Sequence, residues 1–134
     1  MTGRAALRYL LAFAMIAVGV AHFVAPAGFV KIVPTWLPWP YALVLISGFF
    51  EAAFGAGLLW SRTRRLSGLG LIALYVAVFP ANVTMATHRI QPEGMTLPTW
   101  AFWARLPLQL VLIAWAWRVS QDRAQKYRTN VKPE

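Results

Sequence analysis

Cysteine is absent from this 134-residue chain, which excludes disulfide staples, thiolate zinc sites, iron–sulfur clusters and thiol nucleophiles together. Acids are nearly absent as well, with four Asp and Glu against thirteen Lys and Arg and a net charge of +9. So few carboxylates leave no paired-carboxylate arrangement and no transition-metal site. Charged residues of both signs make up 13% of the chain, about half of the roughly 25% usual for a soluble domain. No phosphate loop, dinucleotide fingerprint or nucleophile elbow interrupts the sequence, so soluble-type catalysis has no support. There is no tandem repeat or low-complexity tract. What fills the chain instead is apolar: 59% hydrophobic residues and a mean hydropathy of +0.55. A fold of this size cannot cover that much apolar surface in water.

Four long apolar blocks, at about 7–24, 40–60, 66–87 and 100–119, hold most of it. A helix of about 20 residues rising 1.5 Å per residue crosses the roughly 30 Å hydrocarbon layer. Lipid offers the backbone no hydrogen-bond partners, and the blocks lack the short alternating pattern of membrane strands, so each predicts a helix. The expected fold is all-α, a single four-helix transmembrane bundle followed by a basic tail at 120–134. A cleavable signal peptide is an alternative for the first block, because Arg4 and Arg8 precede it and Ala25, Pro26 and Ala27 follow it.

The cations are distributed unevenly. Ten of the thirteen lie at the N-terminus (Arg4, Arg8), in the second connection (Arg62, Arg64, Arg65) and in the tail (Arg118, Arg123, Lys126, Arg128, Lys132), against Lys31, Arg89 and Arg105 elsewhere. That bias places both termini in the cytoplasm, in a multi-pass protein of the inner (plasma) membrane. The tail, with Asp122, Gln125 and Asn130 among its cations, reads as an amphipathic extension near anionic headgroups. The expected partner of the basic charge is thus the lipid bilayer and not nucleic acid.

Prolines mark the opposite side. Pro26, Pro34, Pro38, Pro40, Pro92 and Pro98 stiffen the outer connections. Trp36, Trp39, Tyr41, Trp100 and Trp103 form an outer aromatic girdle, and Tyr9, Trp60, Trp115 and Trp117 an inner one. Between Pro26 and Pro34, the residues Phe29, Lys31, Ile32 and Val33 read as a short interfacial helix dipping into the membrane.

Glu51 lies eleven residues into the second block. An acid at the centre of a span costs about 2.5 to 3.5 kcal/mol, which the nine Leu, Ile, Val and Phe of that block offset by about 3 to 5 kcal/mol. Glu51 is therefore expected to face the interior. Ser47, Gly48 and Gly55 share its face and open a path for a neighbouring helix. Its expected partner is Arg105, the lone cation inside a span away from the cytoplasmic end, with Gln109 one turn on and Pro107 loosening the turn between them. Pro80 and Asn82 repeat that theme on the third span, above a small-residue seam at Ala73, Ala77 and Ala81. With His22 at the end of the first span, these residues predict one polar cluster: His22, Glu51, Asn82, Arg105 and Gln109. The cluster has two readings, a network that fixes helix register or a pocket for a lipid-like or quinone-like ligand or for proton movement. A bis-histidine haem between His22 and His88 is conceivable by helix direction, but no further haem signature accompanies it.

In order along the chain stand His22-Phe23, Pro26, Phe29, Ile32-Val33-Pro34, Leu37-Pro38, Ser47-Gly48 with Glu51 and Gly55, Phe79-Pro80-Ala81-Asn82, and Arg105 with Pro107-Leu108-Gln109. With these the chain resembles the small DoxX-like membrane proteins over nearly its whole length. The resemblance implies a four-helix membrane bundle. It also implies a link with oxidoreductases, one branch of the wider group being the small subunit of a thiosulfate:quinone oxidoreductase. The resulting expectation is an accessory, redox-associated component that is not catalytic alone. It would use no evident cofactor of its own, would meet a quinone, and would depend on an oxidoreductase partner subunit. Two alternatives stand beside it. One is a small proton-coupled transporter, because four spans with one intramembrane acid also resemble the small multidrug resistance transporters; those, however, carry the acid in their first helix. The other is a purely structural assembly protein.

Overall fold

The structure, a computed structural model, describes residues 2–91 and 96–121. Pro92 and the tail residues from Asp122 onward therefore lie outside the described residues, as does the amphipathic extension expected there. Every regular element among the described residues is a helix: α1 (Gly3–Val24), α2 (Pro26–Val30), α3 (Pro40–Gly57), α4 (Arg64–His88) and α5 (Thr99–Ser120).

The boundaries follow local chemistry. Thr2 caps α1, its hydroxyl accepting from the Ala5 amide at 3.3 Å. Pro26 and Pro40 each sit in the first turn of the helix they open, where a missing N–H costs nothing. α3 stops at Gly57, three residues short of the expected end. The Thr63 hydroxyl donates to the Gly57 carbonyl at 2.7 Å, and Arg64 Nε donates to the Leu58 carbonyl at 3.2 Å. Those two bonds satisfy carbonyls that a helix end leaves open. α4 ends on Arg89 in the left-handed region, φ 51°, with the Ile90 amide returning to Met85.

The four long helices pack in the cyclic order α1, α3, α4, α5 and back to α1. Small residues decide how close they come. A side chain added at Gly19 would lie 2.6 Å from the Gly48 carbonyl oxygen, and one at Gly55 would lie 2.9 Å from Met15 Cβ. The strip predicted beside Glu51 is thus filled by α1, backbone to backbone. The seam expected at Ala73, Ala77 and Ala81 is corrected: Ala73 is exposed, while Ala77 and Ala81 border a cavity. α4 meets α5 one turn earlier, through Gly68 against Ser120 and Ala116.

Leu11, Ala12, Met15, Leu58, Leu71, Tyr75, Ala116 and Val119 form a packed core at the end of the molecule that holds the 58–63 connection. Met85, Ala86 and Phe102 form a smaller core at the opposite end, with Ile32 laid across it from the chain after α2. Outward, Leu10, Phe13, Val76, Leu110 and Val111 are among many large apolar side chains left exposed. The girdle residues Trp36, Trp39, Tyr41, Trp60, Trp100, Trp103 and Trp117 are exposed as well. In α1, α3 and α4, which are long and apolar enough to cross a membrane, less than a third of the apolar stretch is buried against protein. Their surface is that of a membrane protein. α5 has the length, but with Arg105 and Gln109 inside its apolar stretch it does not stand with those three.

Candidate functional site: a polar-walled cavity between two cores

A cavity of about 560 Å³ lies between the two cores. All five residues of the expected cluster, His22, Glu51, Asn82, Arg105 and Gln109, line it. They do not form one network. Glu51 Oε2 lies 3.6 Å from His22 Nδ1 on the α1–α3 wall. Arg105 instead donates to the Asn82 side-chain oxygen at 3.3 Å on the α4–α5 wall. The expected Glu51–Arg105 pairing is therefore corrected: each has a nearer partner on its own side of the space. The reason is the close approach of α1 to α3, which places His22 directly over Gly48, one turn from Glu51.

On the first wall, His22 Nδ1 lies 2.8 Å from the Val18 carbonyl oxygen. A carbonyl only accepts, so Nδ1 carries the hydrogen. The longer contact to Glu51 is then an electrostatic one beyond ordinary hydrogen-bond length. Phe29 stacks on the imidazole with ring centres 3.8 Å apart and planes 19° apart. This stack changes the reading of residues 26–34: Phe29, Ile32, Val33 and Pro34 turn into the cavity and roof it.

On the second wall the polar groups form a directed chain. Arg105 donates to Asn82, whose amide nitrogen donates to Gln109 at 2.6 Å, and the Gln109 amide nitrogen donates to the Tyr75 carbonyl. Gln109 is 3% exposed, so its two bonds satisfy an amide that would otherwise be costly to bury. The bend-prone Pro80 also borders the space.

Two contributors were not anticipated. Tyr75 is buried and lines the floor, its hydroxyl donating to Met15 Sδ at 2.8 Å. Its signal was present in the sequence, since a tyrosine in mid-span lies far from either girdle. Phe29 became part of the site only through the fold. His88, by contrast, is exposed, lies against Thr84 and Thr87 of its own turn, and does not line the cavity. The two histidines are not brought together. Among the described residues no group of three His, Asp or Glu side chains is placed to hold a metal ion.

The remaining lining is apolar, chiefly Val18, Leu43, Val44, Ile46, Phe50, Leu74, Val78, Leu108 and Leu112. An apolar space of this volume with a few polar groups on facing walls matches the build of small-molecule sites. Residues 11–120 match the family described as "Domain of unknown function (DUF8561)", and the chain belongs to that family. No curated protein and no solved structure matches it.

Proposed function

As a member of that family, this chain is, we propose, a four-helix transmembrane bundle of the inner (plasma) membrane that holds a lipid-like or quinone-like ligand. α5 is its fourth span and both termini lie in the cytoplasm, as the ten cations on that side require. In this orientation the cavity opens in the outer half of the bilayer. The observation that carries the reading is the coincidence of the five expected polar residues with the wall of one cavity of ligand size. A network serving register alone needs no such space beside it.

The likeness to DoxX-like proteins supports a further step, in which the bound molecule serves a redox process as substrate or regulator of a partner oxidoreductase. In that step a partner subunit or a diffusible quinone supplies the electrons and the chain acts as accessory. Purification in a mild detergent followed by mass spectrometry of the extract tests the site. A lipid or quinone retained by the wild type and lost in Ser47→Phe, which fills the cavity, is the expected result. The same extract from both proteins refutes it. Equal rates of thiosulfate- or sulfide-dependent quinone reduction in membranes with and without the chain would remove the redox link alone.

The His22–Glu51 contact favours a second reading, a proton-coupled transporter, because it sets a titratable pair inside the membrane. Glu51→Gln would then abolish substrate extrusion.

A further inference from the structure

Arg105 lies six residues into α5, about 9 Å along the axis from Thr99. A cation at that depth is expensive unless it meets an anion or reaches water. It is the one charged residue of the second wall, and its side chain is exposed at the cavity margin, where it is tied to Asn82 by a hydrogen bond. Among the described residues no carboxylate pairs with it, and Glu51, the acid of the cavity, faces His22 on the other wall. A guanidinium has five N–H donors, and the Asn82 contact occupies one. The site thus contains a positive charge with spare donors and no counter-ion, beside an apolar space.

The shape of that space indicates how a ligand reaches it. Toward the 58–63 connection the large core closes the cavity, and toward α2 the roof of Phe29, Ile32, Val33 and Pro34 covers it. The sides are different. α3 and α4 touch at Gly57 against Ser67 and at Phe54 against Gly70, near their connection. Farther from it, Leu43, Ile46 and Phe50 of α3 and Ala77 and Pro80 of α4 are both exposed and part of the cavity lining. The two helices splay there, and the opening faces the apolar surface and not water.

Building on the reading of the cavity as a ligand site, we propose that its occupant is an anionic, single-chain amphiphile that slides in from the bilayer between α3 and α4. Its carboxylate, phosphate or sulfonate head pairs with Arg105, and its chain lies along Ile46 and Phe50. The head supplies the counter-ion that the protein lacks, which narrows the two ligand classes above to the acidic lipid-like one. Asn82 and Gln109 act as positioning residues: their relay to the Tyr75 carbonyl fixes where the guanidinium points.

The test uses the full chain in nanodiscs of neutral lipid, with radiolabelled oleate and radiolabelled oleyl alcohol as paired probes and decyl-benzoquinone and phosphate as competitors. Oleate is expected to bind at least about tenfold more tightly than the alcohol, because charge-assisted hydrogen bonds separate them. Arg105→Gln should remove that advantage, bringing oleate to the affinity of the alcohol, whereas Arg105→Lys should keep most of it. Ser47→Phe should abolish binding of both. Equal affinity for acid and alcohol, displacement of oleate by the neutral quinone at similar concentration, or indifference to Arg105→Gln would overturn the acidic head while leaving the cavity. Displacement by phosphate alone would overturn the chain. If Ser47→Phe leaves both probes bound, the cavity reading itself fails.

Discussion

Gly48→Ala isolates the contact on which the first wall of the cavity depends. The added methyl would meet His22 Cβ, with His22 Cγ and the Gly19 carbonyl oxygen each 2.9 Å away. None of these atoms is the tip of a flexible side chain, so the helices must separate or α1 must slide. Overpacking of this kind costs about 1 to 3 kcal/mol, and a clash with a Cβ atom and backbone belongs at the upper end. Replacing glycine by alanine within a helix returns about 1 kcal/mol. The net expectation is a loss of about 2 kcal/mol. Gly28→Ala is the control, since nothing lies within 4 Å of its added methyl and the same helical gain applies without the clash. The two variants should therefore differ by about 3 kcal/mol in unfolding by sodium dodecyl sulfate from mixed micelles, followed by tryptophan fluorescence. Because the clash displaces His22, Gly48→Ala should also weaken binding of the cavity ligand. A Gly48→Ala protein as stable as Gly28→Ala would mean that α1 does not approach α3 as described, and the His22–Glu51 contact would fall with it.

Gln109→Leu keeps the volume but leaves the Asn82 amide without its acceptor and removes the added bond to the Tyr75 carbonyl; a loss of about 1 to 2 kcal/mol in the same micelle assay is expected. Phe29→Ala removes the ring that covers His22, so a Ser47→Cys reporter in this otherwise cysteine-free chain should react several-fold faster with a maleimide when Phe29 is absent. Equal rates would show that residues 29–34 do not roof the cavity. For topology, Trp36→Cys should be labelled by a membrane-impermeant maleimide in intact spheroplasts and Arg62→Cys only after lysis; the reverse pattern refutes the proposed orientation.

The helical blocks were legible in the sequence because the membrane leaves the backbone so few choices. Each expected span contains a helix whose ends lie within four residues of the expected ones, those at Val24 and Pro40 coinciding. The differences have local causes that block averaging hides, such as the Thr63 hydroxyl and Arg64 closing α3 at Gly57. That the five polar residues border one cavity was foreshadowed by the rarity of polar side chains in these blocks, although Arg105 stays exposed at its margin. The pairing among them was not. Distance along the helix axis made Arg105 a partner for Glu51, but pairing depends on which helices touch, and the sequence does not state that α1 lies against α3 while α4 lies against α5. The glycines carried that information implicitly. Gly19 and Gly48 permit an approach that puts His22 beside Glu51, and the arginine is then left to the amides of its own helix pair.

That division of the polar residues bears on the choice between a binding protein and a transporter. Alternating access requires that the site be opened in turn to both sides, by helices able to rock about it. Here the half of the molecule below the cavity is closed by a continuous core. Leu11, Ala12, Leu58, Leu71, Ala116 and Val119 are fully buried there and bring all four long helices together at one level. Gly68 against Ser120 and Gly55 against Met15 lock the same region at backbone distance. Opening it would cost several large side chains their burial, at about 1.5 to 3 kcal/mol each for the leucines and valine. The upper half carries a smaller penalty, because its core is limited to Met85, Ala86 and Phe102 under Ile32, its roof is one short helix and a proline-bounded strap, and the cavity wall at Ile46 and Phe50 is exposed. A molecule can be admitted and released through that half without disturbing the core. For the ligand site and orientation proposed above, the energetics favour exchange with one leaflet over passage between two compartments. On the same reasoning, Leu71→Ala should weaken the core by about 2 to 5 kcal/mol, yet should not convert the chain into a conduit for its ligand.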